Sequence, residues 1–234
     1  MHISRIRQGG RLRRPERRFG KMDNKWRSWA RDIFGRYGQQ FDSTLVHEDE
    51  DFFIMDWRDR NGSGNLATRY IVDKKKGDLI IKGDSGDCIA SWYNPVSVED
   101  LAHYINSTGY FIGKMRCTTH KYTYDYRDIE EDLEDVRQEY LEMFRNGDID
   151  GMTEEEIKED FERMQGILYN CPVAENTVYA EELTDLFVKY DTDWWESDFS
   201  RLGERIDKRI YLWTYGYQEG VERLRGKEFV RKDV

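Results

Sequence analysis

Gly83-Asp84-Ser85-Gly86 sets a serine between glycines, a setting in which a hydroxyl becomes a nucleophile once a histidine takes its proton and a carboxylate orients that histidine. His47 is the histidine upstream of it in the folded body, and nothing around His47 completes such a triad. The apolar runs Leu79–Ile81 and Ile89–Tyr93 on either side make Gly83–Asp87 a hairpin turn instead. Asn146-Gly147-Asp148-Ile149-Asp150-Gly151 has the front half of a calcium-binding loop, but the twelfth position, where a bidentate glutamate is needed, is Ile157. An interhelical loop capped by Thr153 is the expectation there. His2, His47, His103 and His120 form no short-spaced pair, so no metal-ligand set is expected. Asp56, Asp73 and Asp84 fall at expected strand ends and could serve a magnesium-dependent nuclease or hydrolase. The Glu-x-Lys half of such a core, Glu156-Ile157-Lys158, falls in a helical pattern rather than a strand. With no phosphate-cradling glycine loop either, no catalytic residue and no cofactor are assigned, and the metal-dependent enzyme stands as the runner-up reading.

Charge carries more information. The 234 residues sum to −10. Residues 1–21 hold eight basic side chains against Glu16, leaving −17 for the rest. A body this acidic repels nucleic acid phosphates and attracts basic protein surfaces. Between Asp125 and Arg163, seventeen acids face five bases. Glu155, Glu159 and Glu162 recur at helical spacing, as do Glu131, Glu134 or Asp135, and Glu142. Two helices studded in this way imitate the phosphate spacing of a duplex and suit a Lys/Arg-lined groove; the plain alternative is a solvated helical face. Trp194 and Trp195 are candidate anchors for such a contact.

The elements that must position these residues read as an α+β chain. A helix is expected from Trp26 to Tyr37, started by Asp23 or Asn24 and stopped by Gly38. Leu45-Val46, Phe52–Trp57, Leu66–Val72, Leu79–Ile81 and Ile89–Tyr93, separated by glycine-rich turns, predict an antiparallel meander. Ser97–Asp100 is a capping box for a helix through Leu101 and Ile105, with Gly109 as its stop and Tyr110–Met115 as a further strand. From residue 125 the pattern is helical: Ile129 to Phe144, Ile157 to Leu168, Leu183 to Tyr190, and a last long stripe from Phe199 to Leu224. Gly203, Gly216 and Gly220 weaken that last helix in isolation, so it needs tertiary support, as internal core or as the seam of a homodimer. The expected regions are 1–21, a basic extension; 22–124, the sheet; and 125–234, helices packed on it.

No run of 18 apolar residues occurs, so no membrane span is expected. The N-terminus lacks the apolar region of a secretory signal. Cys88, Cys117 and Cys171 lie far apart, which fits a reducing, cytoplasmic setting. Glu16-Arg17-Arg18 can be encoded by GAA AGG AGG, a ribosome-binding sequence three codons before Met22. Residues 1–21 are therefore expected to be a non-native upstream extension, with a nucleic-acid-binding arm as the alternative.

Asp73–Ile105, centred on Gly77-x-Leu79-x-Ile81-x-Gly83-Asp84-x-Gly86, resembles a hairpin pattern of small uncharacterised phage and prophage proteins. The resemblance carries no catalytic residues. It implies a mobile-element gene in a bacterium, and by that context an inhibitor of host defence of the anti-CRISPR kind. The partner it implies is a basic host protein such as a CRISPR effector nuclease, bound without direct nucleic acid contact by the body. A structural or assembly factor of the phage particle is a further alternative.

Overall fold

The structure, a computed structural model, describes residues 25–34, 41–62, 64–119, 121–170, 181–194 and 198–226. Expectations placed on residues 1–24, Gly38, His120, Cys171 and Trp195 lie outside these. The fold is α+β, and the described residues divide into two compact units, one within 25–121 and 207–226, the other within 122–206.

In the first unit, hairpins link five strands: β1 (Phe41–Glu48), β2 (Phe52–Asp59), β3 (Thr68–Asp73), β4 (Asp78–Gly83) and β5 (Cys88–Ser91). With β6 (Met115–Thr118) they form one antiparallel sheet in chain order. One face supplies the core through Phe53, Met55 and Trp57, then Tyr70 and Val72, then Leu79 and Ile81. The five runs expected to form the meander fall on β1 to β5, and Gly83–Asp87 is the β4–β5 turn, closed by the Gly86 amide donating to the Gly83 carbonyl at 3.0 Å. Burial pushes the Cys88 thiol up to about 12, so it stays protonated and is no nucleophile.

Helix α1 covers residues 25–34, and α2 (Val98–Tyr104) starts at Ser97, whose hydroxyl accepts the Asp100 amide at 3.0 Å. Residues Tyr110–Met115 are not the expected strand. They fall mostly in α3 (Thr108–Lys114), with Gly109 inside it. Thr108, Phe111 and Ile112 are its buried residues, at offsets of three and four. Tyr110 and Ile112 alternate with Phe111 in a way that a seven-residue segment cannot distinguish from a strand.

The expected long terminal helix is also corrected. Its stripe breaks into a 3-10 turn (Asp198–Arg201), β8 (Glu204–Ile206) and α7 (Lys208–Arg225). Gly203 makes the break with φ +75°, where a Cβ would stand 2.4 Å from Ile129 Cγ1. Asp207 then caps α7 by accepting the Arg209 amide at 2.9 Å. Grouping 207–226 with the preceding helices is corrected too, because α7 lies on the sheet. Tyr70 donates to the Trp213 carbonyl at 2.9 Å, Tyr217 to the Val98 carbonyl at 3.2 Å, and Gln218 to the Ala102 carbonyl at 2.9 Å. The stripe Ile210, Trp213, Tyr217 and Val221 is buried inside this unit, which leaves it no role as a dimer seam.

The second unit comprises β7 (Tyr122–Tyr124), paired with β8, and helices α4 (Tyr126–Arg145), α5 (Glu154–Asn170) and α6 (Glu181–Tyr190). Their apolar stripes meet in one core: Ile129, Leu133, Val136 and Tyr140 from α4; Ile157, Phe161, Met164 and Leu168 from α5; Leu183, Leu186, Phe187 and Tyr190 from α6.

Candidate functional site: an acidic helical unit

The local sequence sets the α4–α5 hairpin firmly. Asp125 caps α4 by accepting the Arg127 amide at 2.9 Å. Thr153 and Glu156 form a reciprocal capping box, Oγ1 accepting the Glu156 amide at 3.2 Å and Glu156 Oε2 accepting the Thr153 amide at 2.8 Å. That second bond holds the Glu156 carboxyl below its usual range. The loop between them is the capped interhelical loop expected from its missing twelfth ligand, and among the described residues no three His, Cys, Asp or Glu side chains are arranged to hold a metal ion.

With the apolar stripes turned inward, the carboxylates turn outward. Glu131, Glu134, Asp135 and Glu142 on α4 and Glu155, Glu159 and Glu162 on α5 are all exposed. The two stripes meet at a cleft of about 320 Å³, whose lining includes Glu130, Glu131 and Glu134 across from Glu162, with Arg137 and Gln165 between. A more open cleft on the α5–α6 side is lined by Asp160, Glu181, Glu182 and Asp185 with Arg163 and Lys189. The basic side chains are engaged: Arg137 with Glu134, Arg145 and Lys158 with Glu154, Arg163 with Glu182, Lys189 with Asp160. Glu131, Glu142, Glu155, Glu159 and Glu162 form no ion pair among the described residues. Residues 122–206 hold 26 acids and eight bases, so this unit carries −18 and the rest of the chain is net basic.

Two residues find surroundings the sequence did not show. Asp132, one of the seventeen acids between Asp125 and Arg163, is buried: it accepts the Gly203 amide at 2.8 Å and a two-nitrogen fork from Arg205 at 2.7 and 2.9 Å. Its place on the Ile129–Leu133–Val136 face was the available signal. Trp194 is half-buried, packed against the core at Phe187 with ring centroids 5.5 Å apart. Glu130, Glu181, Glu182 and Asp185 were missed, although α6 opens on two adjacent glutamates that favour a helix N-terminus.

The strand-end carboxylates do not converge. Asp56 is held by Arg69 at 2.6 Å and by Arg58 at 2.7 Å. Asp73 accepts the Lys76 amide in a turn, and Asp84 the Ala67 amide. Asp73 lies four residues along β3 from Arg69, about 13 Å at strand rise. The Arg69 bond holds the Asp56 carboxyl below its usual range. A lowered carboxylate stabilises the fold above its unfolded pKa of about 3.9, and that contribution is lost as pH falls through the folded value. The stability gap between wild type and Asp56→Asn, measured by urea denaturation at a series of pH values, is therefore expected to be widest near neutrality and to close below about pH 4. A gap unchanged in acid would contradict this role for the pair.

The arrangement defines a two-unit α+β protein whose exposed chemistry is concentrated carboxylate. A family model described as a phage family, phiTE_072, matches residues 53–215, and the chain belongs to that family. The match takes in the β4–β5 hairpin and also the helical unit. No curated protein and no solved structure matches the chain. Among the described residues, no helix is long and apolar enough to cross a membrane.

Proposed function

We propose that this phage protein is a non-enzymatic inhibitor, acting in the cytoplasm of the bacterial host, that occupies the nucleic-acid groove of a basic host protein with its acidic helical unit; a CRISPR effector nuclease is the target class. The observation that supports this reading is the exposed carboxylate stripe on α4 and α5 within a unit of charge −18. Such a surface speeds encounter with a Lys/Arg groove and excludes the groove's own polyanion. Phage family membership is consistent with a target in host defence.

The test begins with affinity purification from the host bacterium and mass spectrometry to identify the partner. Reversing Glu155, Glu159 and Glu162 together to Lys is expected to weaken binding at least about a hundredfold, since like charges then face each other, with thermal stability close to wild type. Wild-type affinity should fall steeply with salt. Undiminished inhibition by the triple variant would remove the mimicry reading.

A further inference from the structure

The sheet face opposite α7 holds a pattern that neither the family nor the proposed function uses. Register places His47, Ile54, Ile71, Ile80, Ile89 and Cys117 side by side, one from each of the six strands. The four isoleucines make an unbroken apolar row. Ile89 is 41% exposed and Ile54, Ile71 and Ile80 are half-buried, so the row is open to solvent. A single exposed isoleucine needs no explanation, but four in adjacent register on one sheet face do.

The rows beside it are charged, with opposite signs. On one side Asp73 pairs in register with Asp78; on the other Asp56, Arg69 and Lys82 stand in register, where Asp56 neutralises Arg69 and Lys82 is the open charge. Strand β4 therefore presents Asp78, Ile80 and Lys82 on this face, and β3 presents Asp73, Ile71 and Arg69 in the same sense. Arg69 is held by Asp56, whereas Asp78 and Lys82 form no ion pair among the described residues.

We infer that this face is an isologous interface on which a second copy of the chain docks, with a two-fold axis running along the isoleucine row. Such an axis turns the copy over while keeping each strand opposite its own counterpart. The isoleucines of the two sheets then interdigitate, and the acidic row of each lies over the basic row of the other. Asp78 meets the partner's Lys82, and Lys82 the partner's Asp78, in two symmetry-related pairs. The alternative axis, perpendicular to the row, would set acid over acid, so the charge order selects one dimer. Stacked sheets lie about 10 Å apart with strands nearly aligned, a separation that isoleucine side chains fill. This inference does not rest on the proposed function.

The test is sedimentation equilibrium of the full chain over a concentration series reaching the high micromolar range, with circular dichroism as a control for folding. Wild type is expected to be a dimer, and Ile80→Lys a monomer with an unchanged spectrum. Asp78→Lys and Lys82→Asp, each alone, should weaken the dimer at least about tenfold by setting like charges opposite each other. The double exchange D78K/K82D restores the pairs and should restore the dimer. A monomeric wild type would overturn the inference. So would a dimer indifferent to Ile80→Lys, or single exchanges that the double exchange fails to rescue. None of these outcomes bears on whether the acidic unit binds a host protein.

Discussion

Replacing Asp132 by Ala is expected to destabilise the helical unit by about 1.5–3 kcal/mol, the usual cost of losing a buried hydrogen bond to a charged group and leaving a backbone donor unsatisfied. Asp132 and Arg205 are 8% and 17% exposed at the side chain, and the fork between them ties β8 to α4. The same carboxylate accepts the Gly203 amide, which stabilises the left-handed turn that ends the 3-10 segment. Removing it therefore orphans a backbone donor and leaves the guanidinium with Asp128, 3.3 Å away, as its remaining carboxylate partner. Hydrogen exchange followed by mass spectrometry should show protection lost across residues 122–206. Replacing both partners, Asp132→Ala with Arg205→Met, should cost less than Asp132→Ala alone, because no half-paired guanidinium is left buried. Equal or greater loss in the double variant would mean that the pair's contribution is mainly steric.

Gly216→Val is expected to cost the sheet unit about 2–3 kcal/mol or more, although glycine is a poor helix former that Ala or Val would ordinarily improve upon. A Cβ at Gly216 would stand 2.6 Å from the Tyr70 hydroxyl and 3.1 Å from Trp57 Cδ1. Tyr70 cannot yield easily, since it is fully buried and bonded to the Trp213 carbonyl. The branched side chain must either lift α7 from the sheet or break that bond. Gly220 is the informative contrast. A Cβ there would meet Met55 Cε at 2.6 Å, the far end of a flexible thioether. Gly220→Ala should therefore cost clearly less than Gly216→Ala. Urea denaturation of the two alanine variants decides the order, and equal costs would mean that α7 does not depend on close approach at Gly216.

How far these features could be read in the chain depended on the range of the interactions that produce them. The meander was legible from Phe52–Trp57, Leu79–Ile81 and Ile89–Tyr93 because strand alternation and turn glycines act within a few residues. The caps at Ser97 and Thr153, the stripes of α4, α5 and α6, and the outward face of Glu155, Glu159 and Glu162 were legible for the same reason. The burial of Asp132 was not legible because a count of charges ignores which helical face each one occupies. The packing of Trp194 was not legible because its ring finds Phe187 only after α6 has docked.

Short-range periodicity by itself determined that this is an α+β chain with a hairpin sheet and acidic helices, and simple addition located its charge between Asp125 and Arg163. Tertiary structure alone decided the rest. A near-heptad stripe from Phe199 to Leu224 describes one helix equally well as a turn, a strand and a helix; the left-handed Gly203 and the bond its amide donates to Asp132, 71 residues away, settle the matter. The assignment of α7 to the sheet depends on Tyr70 and Trp213, separated by 143 residues. The isoleucine row exists only once five strand pairings fix the register. A period within a segment sets which residues share a face, whereas contacts between distant segments set what that face meets.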